Sequence, residues 1–274
     1  MKRIHSIKNP DSFSDCISML LASDRYEELN IDLASQRCFQ LQFEPELKMW
    51  VHTALAVEEC IQNLFVNIGI KLLQEETQYY TPEDIAGLAE RGAVFGPIDR
   101  NELNQAVEDM YFTGSRHFVF LSDVWGEYGV VHDPDSSPCI MIELERLLAI
   151  LNRPGVYCVT VDEIQNRNVD GARIMRQGIA RYLDSPAFEP LLPPCKGGMA
   201  MSAFRYGLRL FLFYNMEILS GLKDLTSSEK LEKEAESYFQ YASEGFADCS
   251  WELFARIEQR FRGILKNYGN NNGN

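Results

Sequence analysis

Arg116-His-Phe-Val-Phe-Leu121, Ser122-Asp-Val-Trp-Gly-Glu127 and Tyr128-Gly-Val-Val-His-Asp133 read in succession as a strand, a turn-rich connection and a second strand. If the pair folds back about Trp125, the midpoint of 117 and 133, His117 and Asp133 face each other across the ladder, with Cβ atoms roughly 4.5–5.5 Å apart. A carboxylate in that position orients an imidazole. Histidine and aspartate so arranged are two parts of a Cys-His-Asp site, and a thiol from elsewhere in the chain is needed to complete it.

Outward from this hairpin, further strands are expected at about 93–98 and 156–161. A helix is expected near the start, where Ser12 or Ser14 can cap and Ile17, Leu20 and Leu21 supply an apolar face. A second is expected from Met49 to Val66, and a short third at Thr81-Pro-Glu-Asp-Ile-Ala-Gly-Leu88, which places proline just inside a threonine cap. After Asn168 the pattern becomes helical near 171–183, 199–222, 227–245 and 249–266, interrupted by the linker-like Leu191-Leu-Pro-Pro-Cys-Lys-Gly-Gly198. The expected organisation is an α+β domain with an antiparallel sheet over 1–168, a mainly helical subdomain over 169–267 and a disordered tail over 268–274.

The chain has 274 residues, 46% of them hydrophobic and 24% charged, which is ordinary globular composition and enough for a full core. A formal charge of −14 argues against nucleic acid and against broad contact with an anionic membrane. The longest apolar run, Leu208 to Met216, contains Arg209 and is too short to cross a bilayer. The opening Met1-Lys-Arg-Ile-His-Ser6 has no apolar stretch behind its basic residues, so a cytoplasmic location is expected. The seven cysteines, at 16, 38, 60, 139, 158, 195 and 249, form no C-x-x-C pair and are expected to be free thiols. Histidines at 5, 52, 117 and 132 lack the spacing of a zinc site, so neither a metal nor a bound cofactor is expected.

Cys16 is the candidate thiol. It lies in the first or second turn of its helix, where the helix dipole and a neighbouring imidazolium favour thiolate, although Asp15 beside it works the other way. Cys60 sits deep in its helix, flanked by Glu58 and Glu59, Cys38 alternates like a strand residue, and the other four offer no activating feature. His132 alternates to the face opposite Asp133 and is expected at the surface or in a second layer.

Phe13-Ser-Asp-Cys-Ile-Ser-Met-Leu-Leu21, Leu64-Phe-Val-Asn-Ile-Gly-Ile70, Gly96-Pro-Ile-Asp99 followed by Met110-Tyr111, His117-Phe-Val-Phe-Leu121 and Val131-His-Asp-Pro134 occur in that order. As an ordered set over about 1–165 they resemble the butirosin biosynthesis protein H-like family, whose N-terminal domain is papain-like and related in fold to bacteriocin-processing peptidase domains. The resemblance implies a catalytic set of Cys16, His117 and Asp133. It also implies acyl transfer from a carrier-protein thioester to a small-molecule amine, with phosphopantetheine arriving on an acyl or peptidyl carrier protein. The Cys16 amide is expected to be one oxyanion donor. The glutamine that precedes the cysteine in papain-type enzymes is absent from Lys8-Asn-Pro-Asp-Ser-Phe-Ser-Asp15, which leaves Asn9 as a weak second donor.

Six basic residues, Arg173, Arg176, Arg181, Lys196, Arg205 and Arg209, stand against four acidic ones in 170–220, a candidate dock for an acidic carrier protein in an otherwise acidic chain. Two other readings stay open: a papain-like peptidase or amidase, and a non-catalytic relative that binds a carrier protein or a metabolite. A homo-oligomer is compatible with each.

Overall fold

The structure is a computed structural model that describes residues 12–21, 31–39, 41–44, 49–52, 56–76, 79–107, 116–134, 137–165, 169–185, 187, 198–248 and 250–269. In chain order the first elements are α1 (Ser12–Leu20), α2 (Ile31–Ala34), β1 (Leu41–Glu44), β2 (Met49–His52), α3 (Ala56–Ile68) and β3 (Ile70–Glu76). Next come α4 (Pro82–Arg91), β4 (Ala93–Asp99), α5 (Arg100–Val107), β5 (Arg116–Trp125), β6 (Tyr128–Asp133), β7 (Ser137–Glu143), α6 (Leu144–Leu151) and β8 (Tyr157–Ile164). The helices α7 (Gly171–Asp184), α8 (Gly198–Thr226), α9 (Glu229–Asp248) and α10 (Trp251–Gly269) complete the described chain. The protein is α+β and divides into two units, one of Met1–Ile31 with Leu64–Arg167 and one of Asp32–Asn63 with Asn168–Asn274. Residues 32–63 therefore group with the C-terminal helices, a discontinuity that a linear reading of domains over 1–168 and 169–267 does not contain.

The first unit is built on a six-stranded antiparallel sheet in the order β3-β8-β4-β5-β6-β7. On one face α4, α5 and α6 bury Ile85, Ala89, Leu103, Leu147 and Leu151 against Phe95, Val119, Leu121, Val131 and Ile142. Each of these side chains other than that of Ala89 contributes about 1.5–3 kcal/mol relative to exposure. α4 starts where the sequence places it. Thr81 Oγ1 accepts the Asp84 amide at 3.3 Å, the Asp84 carboxylate accepts the Thr81 amide at 2.9 Å, and Pro82 opens the helix. Those bonds hold the Asp84 carboxyl below the usual range.

Several expectations give way. Met49–His52 is a strand paired with β1, and the helix expected from Met49 begins only at Ala56. The two edge strands β3 and β7 escape the pattern because edges tolerate what central strands do not. β3 ends in Gln-Glu-Glu, and β7 carries Pro138, acceptable where one side of the strand needs no ladder donor. α10 continues through Gly269, so Tyr268 and Gly269 are helical, while 270–274 and the linker-like 191–197 lie outside the described residues.

Burial of the Cys158 thiol beside Tyr80 predicts that this unit loses stability in alkali. The Asn152 amide clamps Tyr80 through its backbone, Oδ1 accepting from N at 2.7 Å and Nδ2 donating to O at 3.1 Å. Burial pushes the Cys158 thiol from 9.0 up to about 11, with the Tyr80 hydrogen bond opposing, and burial likewise raises the Tyr80 phenol. Because the folded state holds the thiol proton more tightly than the unfolded state, stability falls as pH rises from 9.0 through about 11. Denaturant titrations at pH 8 and above 11 are expected to differ, and Cys158→Ala is expected to shrink that difference by on the order of 2 kcal/mol. An unchanged difference in the variant contradicts this assignment.

The second unit has its own aromatic core. Phe261 lies edge-on to Tyr182 and Phe211, with ring centroids 5.6 and 6.1 Å away, and Tyr238 is tilted against it at 5.7 Å. A buried amide there, Asn215, donates to the Tyr238 hydroxyl at 2.5 Å. Phe39 enters this core over Gly178, where any Cβ would meet the phenyl ring at 2.2 Å.

Candidate functional site

The hairpin that carries His117 and Asp133 is present, with a register different from the symmetrical one. Phe120 pairs with His132 and Leu121 with Val131, the ladder slips by one at Ser122, and Trp125 pairs with Tyr128. The turn is therefore Gly126-Glu127, and Gly126 at φ 60 supplies the positive dihedral that two-residue hairpins need at their first position. Extended by one pair, this register sets Asp133 opposite Val119. His117 and Asp133 are diagonal neighbours on one face, not direct partners, a separation that long side chains can still bridge. They do so: His117 Nδ1 lies 3.5 Å from Asp133 Oδ1, and the two side chains are 1% and 0% exposed. The distance exceeds that of a good hydrogen bond.

Cys16 reaches the same strand at the next residue. The β4–β5 ladder runs from Phe95↔Val119 to Ile98↔His117, so Gly96 and Pro97 together oppose Phe118, and the strand pair bulges there. Pro97 has no N–H to give, and β6 pairs with β5 only from Phe120 onward. The Phe118 backbone turns instead to α1. Its N–H donates to Ser12 Oγ at 3.1 Å and its carbonyl accepts from Cys16 Sγ at 3.2 Å. The Phe13 and Phe118 rings meet edge-on beside these bonds, at 5.1 Å. Gly96 is required by this arrangement: a Cβ there would stand 2.6 Å from the Phe118 ring and 2.7 Å from the His117 carbonyl.

The structure thus brings Cys16 to the residue adjoining His117 and brings Asp133 to the His117 ring, all within the first unit. Two details oppose the activation expected from sequence. Cys16 is the fifth residue of α1, so its amide belongs to the intrahelical ladder and is not a spare oxyanion donor, and the dipole has faded by the second turn. A thiol that donates to a carbonyl also has its neutral form favoured. Asn9, the weak second oxyanion donor, lies outside the described residues.

His132 is buried rather than at the surface, and its hydrogen bonds do not leave it as a base for Ser122. Its Nδ1 accepts the Cys139 amide at 3.1 Å, so the ring proton sits on Nε2, which donates to Ser122 Oγ at 2.7 Å. Ser122 in turn donates to the Val130 carbonyl at 3.3 Å. A base for Ser122 would need its lone pair where His132 holds its proton. Among the other cysteines, Cys38 and Cys60 are buried in the second unit, Cys139 is exposed, and Cys195 and Cys249 lie outside the described residues.

Of the basic residues considered as a dock, Arg173, Arg176 and Arg181 are on α7 and Arg205 and Arg209 on α8, while Lys196 lies outside the described residues. Arg181 is engaged by Glu59 at 2.6 Å. Among the described residues no group of three or more His, Cys, Asp or Glu is placed to hold a metal ion, and no helix is long and apolar enough to cross a membrane. Sequence reading missed the role of Ser12, weighed only as a helix cap, and that of the Gly96-Pro97 bulge, whose Gly-Pro pair within a strand pattern was the available signal.

No family model matches the chain, and no curated protein matches it.

Proposed function

We propose that this chain is a cysteine-dependent acyltransferase that moves an acyl or aminoacyl group from a carrier-protein thioester to an amine. The observation that carries the reading is the convergence of Cys16 on the residue next to His117 while Asp133 faces the His117 ring. A papain-like core, as in the butirosin biosynthesis protein H-like family, belongs to the same proposal, supported by an α1 that is buried almost all round against the strand bearing the histidine.

In this mechanism His117 takes the Cys16 proton and the thiolate attacks the thioester carbonyl. The tetrahedral intermediate collapses with departure of the carrier thiol, which regains the proton from His117 and leaves the acyl group on sulfur. The amine then attacks the acyl-enzyme, His117 accepts its proton, and Cys16 departs to be reprotonated. Asp133 positions the imidazole and stabilises the imidazolium. No cofactor is bound by the chain itself in this scheme, and phosphopantetheine comes with the carrier protein to a cytoplasmic enzyme whose thiols are reduced.

The test is a reaction with carrier-bound thioester, with and without an amine. Amide formation that depends on the amine, falling roughly 10²- to 10⁴-fold in Asp133→Asn, is the expected result. Free acid released at the same rate without amine favours a papain-like peptidase or amidase. A second reading, a non-catalytic relative that binds a carrier protein or metabolite, is favoured by the complete burial of Cys16 and its bond to the Phe118 carbonyl. Carrier binding with no turnover supports that reading and overturns the transferase.

A further inference from the structure

We infer that Ser12 is a positioning residue of the candidate site: its hydroxyl holds the strand backbone that carries His117 in register with the helix that carries Cys16. This rests on the reading of Cys16 and His117 given above.

α1 meets β5 through two polar side chains one helical turn apart, a spacing that puts both on the same face. Ser12 Oγ accepts the Phe118 N–H at 3.1 Å and Cys16 Sγ donates to the Phe118 carbonyl at 3.2 Å, so one residue is gripped at both of its backbone groups. Phe118 depends on that grip because it stands opposite the Gly96-Pro97 bulge, where the ladder leaves it out of register. The Phe118 N–H belongs to the peptide plane that joins it to His117. Fixing that plane fixes ψ of His117, and with it the direction in which the imidazole leaves the strand. The carbonyl end sets the next plane from the nucleophile itself. Ser12 is thereby the fixed point from which the thiol and the ring are both measured. It is itself buried, as are Asp15 on α1, His117 on β5, and His132 and Asp133 on β6, while Asp99 on β4, Asp123 on β5 and Tyr128 on β6, the strands packed against this helix, are exposed.

Ser18 provides the control. Its hydroxyl donates to the Ser14 carbonyl at 2.9 Å within α1, so its loss removes a helix hydroxyl without touching the grip on Phe118.

The experiment measures the rate of Cys16 alkylation by iodoacetamide from pH 5 to 10 in the full chain, read by peptide mapping, beside thermal melts of each variant. Ser12→Ala is expected to slow Cys16 alkylation at neutral pH roughly 10- to 100-fold and to move its profile to higher pH, with Cys139 unaffected. Ser12→Thr, which keeps the acceptor oxygen, is expected to restore the wild-type profile, and Ser18→Ala to leave it in place. A Ser12→Ala profile that coincides with the wild type overturns the inference, even where the melting temperature drops. If Ser12→Ala does not fold, Ser12→Thr carries the test alone, and a displaced profile in the folded threonine variant overturns it. A wild-type protein in which Cys16 shows no titrating reactivity refutes the site itself. A titrating wild type with an unmoved Ser12→Ala refutes only the role of Ser12.

Discussion

Under the proposed transferase reading, Cys16→Ala is expected to abolish amide formation, a loss of roughly four orders of magnitude or more, because in that reading Cys16 is the sulfur that takes up the acyl group. The change is small sterically. Cys16 is fully buried and its thiol donates weakly to the Phe118 carbonyl, so removing it is expected to cost about 1–2 kcal/mol and to leave the fold intact. Activity and stability therefore separate: melts stay close to wild type while product formation disappears. His117→Ala is expected to match the cysteine variant, and the double variant to be no worse than either, since residues acting as one unit lose their effect together. Transfer retained in Cys16→Ala removes the nucleophile from the account.

Arg262→Leu is expected to destabilise the helical unit by about 3–5 kcal/mol, the range for leaving one half of a buried ion pair. Arg262 Nε pairs with Glu258 Oε1 at 2.8 Å one turn back on α10, and both residues are nearly inaccessible. Its other nitrogens reach the end of α7, where Nη1 donates to the Leu183 carbonyl at 3.1 Å and Nη2 to the Ser185 carbonyl at 2.9 Å. The guanidinium also lies over the Tyr182 ring, 4.9 Å from its centroid. One side chain thus neutralises a buried carboxylate and satisfies carbonyls that a helix end leaves open. Leucine supplies neither, and the melting temperature is expected to fall by roughly 6–20 °C. Glu258→Leu/Arg262→Leu is expected to recover part of the loss, because the stranded charge goes with its partner. A single variant within 1 kcal/mol of wild type, by the same scale, contradicts the assignment.

Local chemistry was the part of this protein that its sequence made legible. The Thr81-Pro82 helix start depends on groups within four residues of one another, and it forms as the sequence implies. The central strands β4, β5, β6 and β8 carry apolar runs that only a buried sheet uses. Edge strands were not legible, since Lys71, Glu75 and Pro138 are what an unpaired edge permits and what a loop also contains. Nor was the position of Phe39, which packs over Gly178 through a contact that nothing in either stretch announces.

The candidate site divides in the same way. Residue types and order point to Cys16, His117 and Asp133. Their placement follows from two irregularities: the slip at Ser122 makes His117 and Asp133 a diagonal pair, and the bulge at Gly96-Pro97 hands the Phe118 backbone to α1, which brings Cys16 to the residue next to His117. Bulges are set by packing on both sides of a sheet, and a strand pattern of period two does not record them.

The central claim, that Cys16 is the nucleophile of a site completed by His117 and Asp133, is tested most directly by mass spectrometry of the protein after mixing with a carrier-bound thioester in the absence of amine. The account predicts the acyl mass on the Cys16 peptide, absent from Cys16→Ala and not found on Cys139 or any other cysteine. An acyl group on a different residue, or an adduct that persists unchanged in Cys16→Ala, contradicts it.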